Sequence, residues 1–307
     1  MTFALRLSGV FAPVVTPFRD DEPSLADLRA NLRALAAAPL AGYFALGSNG
    51  EARSLTWDEH LAVMDVFAEE AAGRVVMVGA GCESTRETID RAREIGRRGF
   101  AFASAITPAY FASRMNDEAL EGHYRRVADR SPVPVLVYNA PGFAGGVSVS
   151  PAVVGRLAAH GNIAGIKDSA PAGPGRYLAA LDPQADFCVL AGSVAFFYPS
   201  LLLGASGGVL SLANSLPREC ALLHELARSG RHEEARALHG RLVRLNAASS
   251  DRHGVAGVKA LMDLLGYAGG EPRRPLAPVS EEQKNEIAKA LEREGFLQAG
   301  QPQARQA

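Results

Sequence analysis

Ile163-Ala164-Gly165-Ile166-Lys167-Asp168-Ser169 is a short apolar run that ends abruptly in a lysine, an aspartate and a serine. A continuous apolar run of this length is typical of a strand that is buried on both faces of a parallel sheet. Seven further runs of the same kind occur before about residue 215. Together they predict eight strands, at 10–15, 42–46, 75–79, 101–106, 133–138, 163–167, 187–191 and 207–211.

Amphipathic segments separate these runs, with apolar residues three and four positions apart. They predict helices at 24–38, 56–72, 84–97, 116–129, 150–159, 175–181 and 194–203. Ser24, Thr56 and Ser84 each precede an acidic residue by three positions, which is typical of a capped helix start. Eight strand–helix units predict an α/β fold of the (β/α)8 TIM barrel type, because an open doubly wound sheet would be expected to end near five or six strands.

The strand pattern ends after residue 211, and four more helices are predicted, at 217–229, 232–247, 255–265 and 280–294. The first completes the barrel as its eighth helix, and the other three form a C-terminal helical appendage. We therefore predict a barrel catalytic domain over residues 1–230, a helical domain over 231–297 and a polar, disordered tail over 298–307.

Composition excludes several classes of partner. The chain carries 32 basic and 33 acidic residues, a balance without the positive footprint of a nucleic-acid-binding protein. No apolar stretch approaches the roughly 20 residues of a membrane span, and residues 1–7 do not resemble a signal peptide. The three cysteines are widely spaced and form no metal or disulfide framework. These features predict a cytoplasmic protein with no nucleic-acid partner, no membrane partner and no metal.

Lys167 is the only lysine among the first 258 residues, and the chain has just three others, Lys259, Lys284 and Lys289. Arginine supplies almost all the remaining positive charge, so we infer that Lys167 is not present for its charge alone. A lysine amine, unlike a guanidinium, can lose its proton when desolvated and attack a carbonyl carbon to form an imine. The alternative is a lysine at a strand end that pairs with a neighbouring acid.

Reacting groups of a (β/α)8 barrel come from the carboxyl ends of the strands and the loops that follow them. Those strand ends carry several hydroxyl groups and the single lysine. The residues at the strand ends are Thr16, 47–51, 107–110, 138–139, Lys167 and 192–193. One amine that faces hydroxyl groups suits carbonyl chemistry through an imine. Burial would lower the pKa of the amine from its usual value of about 10.4, and a tyrosine could transfer the protons.

Three blocks of this sequence resemble the signatures of the dihydrodipicolinate synthase/N-acetylneuraminate lyase superfamily of class I aldolases. They are Gly47-Ser-Asn-Gly-Glu51, Tyr138-Asn-Ala-Pro141 and Gly165-Ile-Lys-Asp-Ser169. The similarity extends over residues 8–296. Segments 81–85, 189–193 and 254–270 make the chain most similar, within the superfamily, to the 4-hydroxy-2-oxoglutarate aldolases. The resemblance implies a homotetramer, an imine between lysine and pyruvate or another 2-oxo acid, and no cofactor.

The resemblance also assigns roles to individual residues. Lys167 matches the imine-forming lysine, and Tyr138 matches the tyrosine that transfers protons. Ser48 corresponds to the hydroxyl residue that connects this tyrosine to solvent, and the N–H groups of Ser48 and Asn49 match the site that binds the carboxylate of pyruvate. Tyr110 matches a tyrosine that reaches into the neighbouring subunit. The remaining residues assigned to the substrate pocket are Gly192, Val209, Phe143 and Ser169.

Phe143 departs from the pattern of the superfamily. Dihydrodipicolinate synthases carry an arginine at this position, where it binds the carboxylate of aspartate semialdehyde, and phenylalanine cannot replace a bidentate guanidinium. We therefore expect an aldolase that cleaves or forms a 4-hydroxy-2-oxo acid and not the synthase of lysine biosynthesis. The 4-hydroxy-2-oxoglutarate aldolases usually have a polar residue at this position, so the sequence leaves the identity of the aldehyde open.

Three alternatives share parts of this pattern. A dehydratase or aldolase of 2-keto-3-deoxy sugar acids would use the same imine. A regulatory sensor could bind a 2-oxo acid without turnover, although binding does not need a nucleophilic amine. The glycines at 192 and at 204–208 would also suit a phosphate-bearing cofactor such as pyridoxal phosphate, which forms a lysine imine too. No acidic or arginine partner for a pyridine nitrogen is evident in the sequence.

Overall fold

The computed structural model describes residues 2–296 and contains eight parallel strands that close into a barrel. Each strand pairs with its neighbours in the sequence, and the first pairs with the last. The prediction of a (β/α)8 barrel is confirmed. The strands are β1 Gly9–Pro13, β2 Gly42–Ala45, β3 Val75–Gly79, β4 Phe102–Ile106, β5 Val135–Asn139, β6 Ile163–Asp168, β7 Cys188–Ala191 and β8 Gly207–Val209.

Helices follow the strands in the predicted order and pack around the barrel. They are α1 Leu25–Ala36, α2 Trp57–Glu70, α3 Thr85–Arg97, α4 Asp117–Arg130, α5 Pro151–Leu157, α6 Gly175–Leu178, α7 Phe197–Leu202 and α8 Pro217–Arg228. Thr56 forms a complete capping box with Glu59, and Ser84 accepts a hydrogen bond from the backbone N–H of Glu87. Ser24, the third predicted cap, makes no such bond to the backbone of its helix.

Most element boundaries differ from the sequence-based expectation by a few residues, and two of them have a clear physical basis. Strand β5 begins at Val135 instead of residue 133, because Pro134 has no N–H group to contribute to the ladder. Helix α10 spans Ser250–Leu264 with a kink at Gly254, where φ is 57°, so the part after the kink begins at residue 255 as predicted and a helical turn precedes it. The glycine accepts a backbone conformation that other residues adopt with strain.

The interior of the barrel is filled by large apolar side chains from successive strands, including Phe11, Phe44, Met77, Phe102 and Leu136. This layer closes the barrel below the carboxyl ends of the strands. A second apolar cluster lies between the strands and the surrounding helices. The barrel is therefore a packed core that is open only at the end where the candidate catalytic residues lie.

Strand β6 contains an irregularity that sets the direction of Lys167. Val135 of β5 pairs with Ile163, but the next residue, Leu136, pairs with Gly165, so β6 has one extra residue. Beyond this point Lys167 is aligned with Tyr138. Because strand side chains alternate between the two faces, an extra residue moves every later side chain to the opposite face.

Three C-terminal helices follow the barrel, as predicted: α9 His232–Ala248, α10 Ser250–Leu264 and α11 Glu281–Arg293. The segment between α10 and α11 returns to the mouth of the barrel, where Glu271 forms a bridge with Phe18. The domain boundary at residue 230 stays a prediction, and the predicted tail, 298–307, lies outside the described residues. No helix within residues 2–296 is long and apolar enough to cross a membrane.

Candidate active site

Lys167 lies at the carboxyl end of β6 with only 4% of its surface exposed. Its Nζ is 4.0 Å from the centre of the Tyr138 ring and 4.6 Å from the centre of the Phe44 ring. Burial lowers the pKa of Lys167 from its usual range, and the Tyr138 hydroxyl opposes this shift only in part. A larger fraction of the amine is therefore unprotonated, and able to act as a nucleophile, at neutral pH.

Asp168 does not neutralise Lys167, although the two residues are adjacent. Its carboxylate accepts a hydrogen bond from the Asn139 side chain at 2.6 Å and another from the N–H of Ala170 at 3.2 Å. Within residues 2–296, no acidic side chain lies within 4.0 Å of the Lys167 amine. An ion pair with a neighbouring acid, the alternative considered for this lysine, is absent from the described part of the chain.

Tyr138 connects the lysine to a second hydroxyl group. Its Oη is 3.2 Å from Oγ of Ser48, a hydrogen bond in which either oxygen can donate. Tyr138 is itself 4% exposed, and its ring packs edge-on against Phe44 at 5.8 Å. The two hydroxyl groups form a short chain that can move a proton between the vicinity of the Lys167 amine and the loop after β2.

The loop over residues 47–51 presents free backbone donors. The N–H groups of Ser48 and Asn49 have no backbone acceptor within the described residues. The Asn49 side chain donates to Oγ of Ser211 at 2.9 Å, which anchors the loop to the turn after β8. Adjacent unpaired N–H groups bind anions well, because they supply partial positive charge without a counter-ion of their own.

A cavity of about 750 Å³ opens above Lys167, and every residue assigned to the substrate pocket lines it. A side chain at Gly192 does not fit there, because its Cβ atom would lie 2.7 Å from the backbone carbonyl oxygen of Asp168 and 2.0 Å from Oγ of Ser169. Val209 forms the floor on the β8 side, and Phe143, 67% exposed, lies on the turn after β5. No cationic side chain from that turn enters the cavity lining.

The outer wall of the cavity comes from the C-terminal helices, which the sequence did not connect with the site. Asn246 of α9 and Ser250 and His253 of α10 line it, together with Leu276. Asn246 is 4% exposed, and Nε2 of His253 is buried without a hydrogen-bond partner within residues 2–296. These side chains could contact the part of a substrate that extends away from Lys167.

Tyr110 lies apart from this cavity and is 81% exposed. Its loop is nevertheless fixed, because the Glu83 carboxylate accepts hydrogen bonds from the N–H groups of Tyr110 and Ala109 at 2.8 and 2.9 Å. Burial opposes ionisation of Glu83, but these bonds and Arg53 lower its pKa below the usual range. The structure therefore brings together all the predicted site residues except Tyr110, which does not line the chain's own cavity.

The sequence missed two further features of this site. Phe44 forms the aromatic surface beneath Lys167, and nothing marks it among the apolar residues of β2. Glu51 forms a buried ion pair with Lys259 at 2.6 Å. The signal for this pair was present, because Lys259 is one of only four lysines and Glu51 ends a signature block.

Neither metal ligation nor thiol chemistry is supported by side chains of the described region. Within residues 2–296, no group of three His, Cys, Asp or Glu side chains could hold a metal ion. Cys82, Cys188 and Cys220 are free and buried, and burial raises the pKa of each thiol, to about 12 for Cys82 and about 11 for Cys188. Thiols that resist ionisation are poor nucleophiles and poor metal ligands.

Comparison with known proteins agrees with this geometry. A profile of the dihydrodipicolinate synthetase family matches residues 6–294. A probable mitochondrial 4-hydroxy-2-oxoglutarate aldolase of Emericella nidulans is 34% identical over 303 residues, which cover 95% of this chain and 97% of that protein. A 4-hydroxy-tetrahydrodipicolinate synthase of Methanospirillum hungatei is 33% identical over 290 residues, covering 93% and 98%. Overall identity therefore does not choose between the two activities.

Among solved structures, YagE from E. coli K12 superimposes with a TM-score of 0.87. It is a prophage protein of the dihydrodipicolinic acid synthase family that was solved in complex with pyruvate. The two sequences are 25% identical, and the match covers 94% of this chain and 99% of that one.

We predict that Lys167 reacts with carbonyl reagents at a lower pH than an ordinary lysine, because burial favours its neutral amine. With formaldehyde and cyanoborohydride, the rate of modification at Lys167 should rise with pH and level off below about pH 10.4. Peptide mass spectrometry measures this rate, with exposed Lys289 as the internal reference. Identical pH profiles for the two lysines would contradict the prediction.

Proposed function

The chain belongs to the dihydrodipicolinate synthetase family, and from this membership we propose that it is a pyruvate-dependent aldolase that works through an imine on Lys167. The observation that carries the proposal is the buried amine of Lys167, which has no acidic partner in the described chain and lies against Tyr138 at the base of the cavity. Proteins of this family are class I lyases, and the pyruvate bound to YagE supports the choice of the common substrate half.

In the proposed mechanism, the carboxylate of pyruvate binds the N–H groups of Ser48 and Asn49. The amine of Lys167 attacks the C2 carbonyl carbon to give a carbinolamine, which loses water to form the imine. Tyr138 protonates the departing oxygen and is reprotonated through Ser48, 3.2 Å away. Preorganised N–H donors need no rearrangement when charge redistributes during these steps.

The protonated imine then loses a proton from C3, which passes through the Tyr138–Ser48 hydroxyl chain to solvent, and becomes an enamine. Its C3 attacks the aldehyde carbon, a C3–C4 bond forms, and the new alkoxide takes a proton from Tyr138. Water hydrolyses the imine and releases the 4-hydroxy-2-oxo acid and free Lys167. The cleavage direction reverses each step and releases the aldehyde first.

Phe143 supports a 4-hydroxy-2-oxo acid over the synthase substrate. Aspartate semialdehyde would place its carboxylate beside a phenyl ring, where a charge-assisted hydrogen bond of roughly 1.5–3 kcal/mol is lost. The similarity to the aldolase of Emericella nidulans fits a substrate of the 4-hydroxy-2-oxoglutarate type.

A second candidate is a dehydratase or aldolase of 2-keto-3-deoxy sugar acids. The polar side chains of Asn246, Ser250 and His253 on the outer wall favour it, because they could bind the additional hydroxyl groups of a sugar acid. Both candidates share the imine. The dehydratase would release water instead of pyruvate, whereas a sugar-acid aldolase would release pyruvate together with a hydroxylated aldehyde.

The proposal includes a homotetramer in the cytoplasm. Tyr110 and Phe111 form an exposed aromatic pair, 81% and 67% exposed, on a loop that Glu83 holds in place. Large apolar groups displayed on a fixed loop are typical of a subunit interface. Three unpaired cysteines fit a reducing compartment.

Borohydride added with pyruvate should trap a covalent adduct on Lys167 alone, and mass spectrometry will locate it. Replacing Lys167 by Ala should abolish turnover. Tyr138→Phe should still form the adduct slowly and should lower turnover by about 10²–10⁴, the usual contribution of general acid–base catalysis. An unmodified Lys167 at saturating pyruvate would refute the mechanism, and a normal rate for Tyr138→Phe would remove that residue from its role.

For substrate choice, we expect retro-aldol release of pyruvate from 4-hydroxy-2-oxoglutarate or a less charged 4-hydroxy-2-oxo acid, and negligible condensation with aspartate semialdehyde. A panel of acids coupled to lactate dehydrogenase ranks them. Phe143→Arg should raise the relative rate with aldehydes that bear a carboxylate, and Phe143→Gln, which adds no charge, is its control. Aspartate semialdehyde as the best acceptor would refute the argument from Phe143, whereas reaction of sugar acids without pyruvate release would establish the dehydratase.

If Tyr110 acts across an interface, two inactive variants should complement each other. A Lys167→Ala subunit keeps Tyr110, and a Tyr110→Phe subunit keeps Lys167. Mixed oligomers should therefore contain sites more active than either parent, and light scattering should give a tetramer. A fully active monomer, or no gain in activity when the two are co-assembled, would remove Tyr110 from the site.

A further inference from the structure

We propose that the ion pair between Glu51 and Lys259 is a positioning device that holds the loop of residues 47–51 in its anion-binding conformation. Helix α10 of the C-terminal region would thereby set the affinity of the barrel for the carboxylate of the 2-oxo acid. The inference rests on the proposed function, because it concerns the same loop.

The loop is strained at both of its ends. Leu46, just before it, has a φ of 54°, and Glu51, its last residue, has a φ of 51°. Residues with a side chain rarely adopt this left-handed conformation, and they keep it only where their surroundings enforce it. Between these two points the chain turns so that the N–H groups of Ser48 and Asn49 are left without backbone acceptors.

Packing holds the first end of the loop. Leu46 is 3% exposed, and its carbonyl group lies so close to Gly79 of β3 that a Cβ atom there would be 2.0 Å from the carbonyl oxygen. Within the loop, the Thr16 hydroxyl donates to the carbonyl oxygen of Gly50 at 2.8 Å. At the other end, the N–H of Glu51 donates to the carbonyl oxygen of Ser48 at 3.1 Å, and a second anchor reaches Glu51 from outside the loop.

The Glu51 side chain supplies that second anchor. Its Oε1 is 2.6 Å from Nζ of Lys259, and its Oε2 accepts a hydrogen bond from the N–H of Arg273 at 2.8 Å. Lys259 also donates to the carbonyl oxygen of Glu271 at 2.9 Å and lies 4.5 Å from the Phe18 ring centre. Both charged groups of the pair are almost completely buried, so removal of one leaves the other without solvent to replace it.

If the pair only joined the C-terminal segment to the barrel, its loss would lower stability without changing the ratio of the Kd values for pyruvate and acetone. Another contact already performs that role: Asn31 of α1 donates to the carbonyl oxygen of Ala268 at 2.8 Å and accepts from its N–H at 2.9 Å. This contact anchors the same C-terminal segment without touching residues 47–51. Asn31→Ala is therefore the matched control for Lys259→Met.

The test compares two ketones that form the imine with Lys167. Pyruvate carries the carboxylate, and acetone has a methyl group in its place. Borohydride trapping, quantified by mass spectrometry over a range of ketone concentrations, gives an apparent Kd for each. Lys259→Met should raise the apparent Kd for pyruvate at least tenfold and leave the apparent Kd for acetone within twofold of the wild-type value. Asn31→Ala should lower the Tm and leave the ratio of the two Kd values within twofold.

The outcomes separate this inference from the proposed function. No adduct on wild-type Lys167 overturns both. If wild-type Lys167 forms the adduct normally, two results overturn the positioning role alone. One is an unchanged ratio of the two Kd values in Lys259→Met, and the other is an equal change of this ratio in Asn31→Ala. If Lys259→Met does not fold, the double variant Glu51→Gln/Lys259→Met, which removes both charges, is measured in the same way. A ratio of the two Kd values within twofold of the wild-type ratio in this double variant also overturns the inference.

Discussion

A primary amine buried without an anion is the constraint on which the site depends. Two lysines are buried at the mouth of the barrel, and the groups that surround their amines differ. Glu51 opposes the effect of burial on Lys259, whereas Lys167 has only the Tyr138 hydroxyl to do so, and burial lowers the pKa of both. Aromatic rings surround the Lys167 amine, and they attract the ammonium form less strongly than a carboxylate would. Both side chains are almost completely buried, 4% exposed for Lys167 and 1% for Lys259, so solvent does little to offset this difference.

The sequence predicted the parts of the molecule that depend on local pattern. All eight strands appeared as apolar runs, because strands buried on both faces need no polar alternation. Lys167, Tyr138 and Ser48 could be placed together because every parallel strand of a barrel ends at the same rim. The direction of Lys167, however, depends on the extra residue in β6, and an irregularity of register leaves no mark in an apolar run.

Contacts between distant segments account for what the sequence did not predict. Glu51 and Lys259 are 208 positions apart, and their charges are ordinary until folding buries them in contact. Composition nevertheless held a clue, because the scarcity of lysine that marked Lys167 applied equally to Lys259. The polar wall of Asn246, Ser250 and His253 left no comparable signal, since such residues are common on exposed helices.

The two halves of the proposed substrate contact regions of the chain with different constraints. The 2-oxo acid end meets strand ends and strained backbone, where small changes in geometry would alter every step that passes through the imine. The aldehyde end meets Phe143 on an exposed turn and the C-terminal helices, which the barrel does not need in order to close. Substitutions there can change which aldehyde is accepted while the imine chemistry stays intact. Under this proposal, relatives of nearly equal identity, one named a probable aldolase and one a synthase, would keep the imine end of the site and differ at the aldehyde end.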